Sequence, residues 1–340
     1  MAVVGRIRLI VSDLDGTLLD PSGAVTARTR RAVAAAHELG VPTILATSRR
    51  YVGALPVACA LTGVDGMIMY DGAQVRAYPS GDVLLACQLA PDIAQWVAET
   101  LAAHGLQPIA QHSDLSGERL IVGPRSGRGR WADTYLASMA AQVERAPLAE
   151  VGTGHPGPLR LVAFGPPRRL RAAARALASE RPLAGPLTPP ALDDYGGVPG
   201  PFVADFATQI LPLGSYGTAE LTIFAANASK GAAVTHLAEL LEIPLARVLA
   251  LGDGVNDISM LRAAGLAVAM GTAPLAVRRA ANAVTASNVE DGAARAIERY
   301  VLDGAWDGPT DDLAVNPTEC AATPAADSVA PIDARSRRCE

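Results

Sequence analysis

Short apolar runs alternate with helical patterns through the first eighty residues and again near the end of the chain, and this alternation restricts the fold most. Arg8–Val11, Thr43–Ala46 and Met67–Tyr70 read as strands, with helices expected at Thr26–Leu39 and Tyr51–Leu61. In the first helix Val33, Ala36 and Leu39 share one face, and Gly40 closes it. Later, helices at Ser229–Leu241 and Asp257–Ala264 alternate with strands at Val248–Leu251 and Leu266–Ala269. Helical patterns at Pro274–Ala281 and Val289–Val301 follow, around a short strand at Ala283–Thr285. Strands separated by helices need right-handed crossovers, which build a parallel sheet covered on both faces. The expected class is α/β, a Rossmann-like doubly wound parallel sheet.

Between these halves the pattern changes. Gln74–Tyr78 and Val83–Leu89 flank Pro79-Ser80-Gly81-Asp82, a hairpin signal. Helices are then expected at Asp92–His104, Trp131–Gln142 and Arg168–Glu180, and strands at Glu118–Val122 and Leu159–Phe164. Arg181–Pro201, rich in Pro and Gly, reads as an irregular loop. Residues 84–214 are thus expected to form an α+β unit inserted into a core made of 1–83 and 215–303. From residue 304 to 340 periodicity fades into Pro, Thr, Ala and Asp, the composition of a disordered tail.

Composition narrows the partners. A net charge of −5 and no Lys/Arg run leave no electrostatic footprint for nucleic acid. No apolar run is long enough to span a bilayer, and Arg6 and Arg8 interrupt the start of the chain, so neither a membrane segment nor a signal peptide is expected. Cys59, Cys87, Cys320 and Cys339 lack metal-type spacing and read as reduced thiols of a cytoplasmic protein. A monomer or small homo-oligomer is expected. One count is unusual: of 29 Lys plus Arg residues, Lys230 is the single lysine. Arginine keeps the charge but replaces a compact ammonium with a planar fork. A lone surviving lysine marks a place where the fork does not fit.

Four polar clusters carry the chemistry, three directly after predicted strands and one at a helix start. Strand carboxyl ends form the ligand crevice of an open parallel sheet, so the clusters should converge there. Asp13-Leu14-Asp15-Gly16-Thr17 places Asp13 and Asp15 on one side of an extended chain, though so short a pattern also arises by accident. Gly252–Asp257 adds Asp253 and Asp257, which would otherwise suit a glycine-rich turn and a helix start. Carboxylates so close repel unless a cation intervenes, and oxygen ligands without Cys or His favour Mg²⁺. Thr47-Ser48-Arg49 supplies hydroxyls and main-chain N–H groups, equally suited to phosphate or to helix capping. Lys230 sits beside the helix N-cap Ser229, where a cation is unfavourable unless an anion is also bound.

In this order the four clusters resemble the motifs of the haloacid dehalogenase superfamily of phosphohydrolases, most closely its Cof-like, type IIB branch. Asp13–Leu19, Ala46–Arg49, Ser229–Gly231 and Gly252–Asp257 carry the resemblance, with Ala269-Met270-Gly271 and Asn288–Gly292 downstream. The resemblance implies a core of this type with an inserted α+β cap that reads the substrate. It implies a Mg²⁺-dependent phosphatase in which Asp13 is the nucleophile, forming an aspartyl phosphate, and Asp15 the general acid and base, kept protonated by the surrounding carboxylates. Mg²⁺ would be held by Asp13, the Asp15 carbonyl, Asp253 and Asp257, with Leu14, Thr47, Ser48, Lys230 and Asn256 at the phosphoryl oxygens. A small phosphorylated metabolite such as a sugar phosphate is the expected substrate. A phosphomutase on the same core and a non-catalytic phosphometabolite-binding protein are the alternatives.

Two positions depart from the branch pattern: Ser48 stands where Gly is usual, and Asp71 where Asn is usual. In the cap, His112, Asp114, Arg119, Arg125 and Arg128 are placed to reach a substrate, although residues of these types ordinarily make solvated surface.

Overall fold

The computed structural model describes residues 6–114, 117–125, 130–139, 142–153, 156–180, 198–199, 206–213 and 218–306. Residues 307–340 of the expected tail, Arg128, and all of the 181–201 loop except Val198–Pro199 fall outside them, whereas Trp306, within the expected 304–340 tail, is buried in the core.

The first sheet has eight strands: β1 (Leu9–Ser12), β2 (Thr43–Ala46), β3 (Val64–Met69), β4 (Gln74–Ala77), β5 (Val83–Ala86), β13 (Val248–Gly252), β14 (Leu266–Ala269) and β15 (Ala283–Val284). Their order is β15-β14-β13-β1-β2-β3-β4-β5. The first six run parallel, and β4 and β5 add an antiparallel hairpin at one edge. The doubly wound parallel core is therefore present. Alternation within β1 shows why both faces are covered. Ile10 packs on one side with Val33, Ala36 and Ile297, from helices α1 (Ala27–Glu38) and α9 (Gly292–Ile297). Leu9 and Val11 pack on the other with Val234, Leu237 and Leu261, from α6 (Lys230–Leu240) and α7 (Ile258–Ala263). Each such fully buried aliphatic side chain contributes about 1.5–3 kcal/mol relative to exposure. Two further helices complete the cover, α2 (Tyr51–Cys59) on the first face and α8 (Leu275–Arg279) on the second.

The second sheet belongs to the inserted cap. It contains β6 (Ile109–Asp114), β7 (Gly117–Val122), β8 (Val143–Arg145), β9 (Arg160–Gly165), β10 (Val198–Pro199), β11 (Phe206–Leu213) and β12 (Thr218–Ala225), in the order β10-β11-β12-β9-β6-β7-β8. Helices α3 (Pro91–Ala103) and α5 (Pro167–Glu180) cover one face, where Val97, Leu101, Leu170 and Leu177 meet Leu161 and Leu221. A short α4 (Asp133–Ser138) packs Tyr135 and Leu136 on Val162 and Phe164 of the other face. Strand pairing carries the first sheet through β5 and the second through β12, past the expected limits of 84–214 at both ends.

Several elements escaped the sequence pattern. Strands β6, β11 and β12 have Gln, His, Thr or Glu among their apolar residues, so they do not read as buried runs. The helix expected at Trp131–Gln142 shrinks to Asp133–Ser138. Near the end, Val289–Val301 is broken at Asp291, whose φ of 59° separates a short 3-10 turn from α9. Among the described residues no helix is long and apolar enough to cross a membrane.

Candidate active site

Register brings the clusters together. Ser12 of β1 lies opposite Leu251 of β13 and Leu45 of β2, so the residues that follow leave the sheet side by side. Asp13 N–H donates to the Leu251 carbonyl at 2.9 Å, fixing where its carboxylate emerges. Leu14 buries its side chain in the core, so only its main chain is available to the crevice. Gly16 then turns the chain at φ 81°, and a Cβ there would lie 2.3 Å from Asp253 Oδ2. Glycine is required at this point on both counts. Thr17 Oγ1 donates to Asp253 Oδ1 at 2.9 Å and ties the first loop to the fourth cluster.

Asp13, Asp253 and Asp257 each offer a carboxylate oxygen within a 4.8 Å cluster. Lys230 reaches this cluster from the first turn of α6, with its side chain fully buried. Its Nζ donates to Asp13 Oδ1 and to Asp257 Oδ1, both at 2.6 Å. The other Asp257 oxygen accepts from the N–H groups of Asp253 at 3.0 Å and Gly254 at 2.8 Å. Burial lifts the Asp13 carboxyl well above its ordinary range, helped by Asp257 and opposed by Lys230. Burial and Asp257 push Asp253 up to about 6. Burial pulls the Lys230 ammonium the other way, yet Asp13 and Asp257 hold it above its ordinary value. The three carboxylates outnumber the ammonium, so one divalent cation would balance the ionised cluster.

Asp15 does not join that crowd. Its exposed carboxylate takes a bidentate pair from Arg49, with Nε at 2.8 Å and Nη2 at 2.5 Å. The carboxylate crowding expected around Asp15 instead falls on Asp13 and Asp253. Thr47, 1% exposed, accepts from Arg49 N–H at 3.1 Å through its hydroxyl, and Ser48 is half-buried beside it. Asn256 donates to Asp71 Oδ1 at 3.0 Å. Asp71 is buried, so its departure from Asn places a buried carboxylate against Asn256.

The cap candidates divide. Arg119 and Arg125 pair with Glu144 and Asp133 within the cap, Asp114 offers its carbonyl to Arg76, and His112 is buried. Two cap residues that the sequence did not single out reach the core instead. Glu118 accepts from the Tyr70 hydroxyl and from Tyr51 N–H at 2.7 Å, and Arg160 lies 3.5 Å from Asp71 Oδ2. Only their position on inward-facing strands marks them, and a linear sequence does not display that. Arg49 and Thr17 were visible within the motifs, but their partners were not.

A divalent cation fits these residues. The donors are all oxygen, they come from two segments far apart in the chain, the ends of β1 and of β13, and burial together with mutual repulsion raises the Asp13 and Asp253 carboxyls, a cost that a hard cation would relieve.

Comparison with known proteins gives the family and the fold. A family model described as haloacid dehalogenase-like hydrolase matches residues 10–117 and 204–297. The pyridoxal phosphate phosphatase YbhA of Escherichia coli (strain K12) is 27% identical over 298 residues, covering 87% of this chain and 99% of that one. A haloacid dehalogenase-like hydrolase from Bacteroides thetaiotaomicron superposes with a TM-score of 0.65 at 22% identity, covering 86% of this chain and 99% of its own. A sugar phosphatase of HAD subclass IIB does so at 0.64 and 19%, covering 86% and 98%. These two structural likenesses speak for the fold.

Proposed function

Because this chain belongs to the haloacid dehalogenase-like hydrolase family, we propose that it hydrolyses small phosphomonoesters with Asp13 as nucleophile and a bound divalent cation, Mg²⁺ by preference. The carrying observation is the junction of Asp13, Lys230, Asp253 and Asp257, drawn from three separated segments into one buried cluster. A buried, charge-dense cluster is destabilising on its own and suits phosphoryl transfer, where catalysis consists mostly of positioning and charge stabilisation.

In this mechanism an Asp13 oxygen attacks phosphorus in line while the bond to the leaving alcohol breaks, giving an aspartyl phosphate. Asp15 gives its proton to the departing oxygen. It then takes a proton from water as that water attacks the acyl phosphate, which restores Asp13 and releases inorganic phosphate. For these steps Asp15 must exchange its Arg49 partner for the leaving-group oxygen and take up a proton from solvent as it does so. Lys230, Thr47, Ser48, Asn256 and the Leu14 main chain orient the phosphoryl oxygens. Asp13, Asp253 and Asp257, with the Asp15 carbonyl, would hold the cation, which supplies charge neutralisation when bound.

The name of the Escherichia coli relative and the subclass IIB sugar phosphatase point to pyridoxal phosphate and sugar phosphates as the first substrates to try. The test is phosphate release from an aryl phosphate and a panel of phosphorylated metabolites, with Mg²⁺ and with EDTA. Mg²⁺-dependent release from at least one is expected, and no release from any would refute the proposal.

A further inference from the structure

Tyr70-Asp71-Gly72 leaves β3 with three consecutive positive φ angles of 53°, 56° and 102°. For a tyrosine this conformation is sterically disfavoured, so the surroundings must impose it. Core partners surround the turn. Tyr70 N–H donates to the Arg49 carbonyl and Asp71 N–H to the Thr47 carbonyl, both at 3.2 Å. The Asp71 carboxylate holds Asn256. A Cβ on Gly72 would lie 2.2 Å from the Ser229 carbonyl carbon and 2.7 Å from Lys230 N, so this turn presses against the start of α6. One short turn therefore touches the Thr47, Asn256 and Lys230 clusters together.

The cap grips the same turn from the other side. Glu118 of β7 takes the Tyr70 hydroxyl, the Tyr51 and Val52 N–H groups at the start of α2, and Arg50 Nη1 at 3.4 Å. Arg160 of β9 lies 5.3 Å above the Tyr70 ring and 3.5 Å from Asp71, and its Nε donates to Gln111. Both side chains are almost wholly buried, at 2% and 8% exposure. Apolar contacts would join two units with less desolvation cost, whereas buried charged pairs fix one geometry and reject others.

We propose that Tyr70–Gly72 is the junction through which the placement of the cap sets the phosphate-handling groups, with Glu118 and Arg160 as positioning residues. With both grips made, the turn holds Thr47, Asn256 and Lys230 in register. Without them it relaxes and the three lose alignment. The inference rests on the phosphatase reading given above.

The test uses the full chain with Arg160→Met, Arg160→Lys, Asp71→Asn, Glu118→Gln and the Asp71→Asn/Arg160→Met double variant. The readouts are kcat and KM for an aryl phosphate and for a sugar phosphate, and affinity for inorganic phosphate by calorimetry. Arg160→Met is expected to lower kcat about tenfold for both substrates alike and to weaken phosphate binding by a similar factor. The double variant should fall no further than the worse single variant, and Arg160→Lys should recover part of the loss. A loss confined to one substrate with phosphate binding unchanged, or strictly additive losses, overturns the junction. If Arg160→Met does not fold, Glu118→Gln carries the same expectation. If the wild-type chain hydrolyses no phosphomonoester, the phosphatase reading fails separately; equal phosphate affinity in wild type and variants then overturns the junction on its own.

Discussion

Lys230 Nζ lies 2.6 Å from Asp13 Oδ1, joining residues 217 positions apart in a buried ion pair. This contact explains why the chain retains a single lysine. The ammonium meets two carboxylates at 2.6 Å each with no exposed surface, a space suited to a compact cation and too tight for a planar guanidinium.

Lys230→Arg keeps the charge, so it isolates shape. It is expected to lower kcat/KM by at least about a hundredfold and to cost about 2–4 kcal/mol of stability through overpacking and a distorted buried pair. Steady-state kinetics and thermal unfolding check this. Wild-type activity in the variant would remove Lys230 from the site.

Asp13→Asn retains volume and an acceptor but not the nucleophile. Turnover should drop by at least about a thousandfold while the circular dichroism spectrum is unchanged. The variant also relieves the burial and repulsion felt by the Asp13 carboxyl, so the metal-free protein should melt no lower than wild type.

The pH dependence of the metal-free protein has a definite sign. Asp253 is pushed up from 3.8 to about 6, so between those values the folded chain holds a proton that the unfolded chain has released. Stability therefore falls as pH rises through that window, and Asp13, shifted in the same direction, adds to the fall. In EDTA the Tm should decline more steeply from about pH 4 to about pH 6 than that of Asp253→Asn, which should be more stable at pH 7 by about 1–3 kcal/mol. Mg²⁺ at pH 7 should raise the wild-type Tm more than the variant's. Parallel profiles would show that Asp253 does not feel the cluster.

Gly16→Ala forces a side chain into a left-handed turn and against Asp253, whose Oδ2 would lie 2.3 Å from the new Cβ. The conformation alone costs about 1–2 kcal/mol, and moving Asp253 should weaken metal affinity as well. Unfolding measurements with and without Mg²⁺ separate the two effects. A variant as stable and as Mg²⁺-responsive as wild type would contradict the geometry.

The sequence by itself determined the core. Apolar runs such as Leu9–Ser12 and Val248–Gly252 are buried on both faces, so burial alone selects them as strands, and strand ends place Asp13, Thr47 and Asp253 in one crevice. It also exposed Lys230 as exceptional, through composition and helix position. Only the tertiary structure decided the partners. Asp15 pairs with Arg49 across 34 residues, and Glu118 and Arg160 cross from the cap to Tyr70 and Asp71. Local periodicity records which face of an element is apolar, but it carries no distance between elements. Polar side chains on strands such as β6 and β9 look like surface until the fold shows which buried charge each one meets.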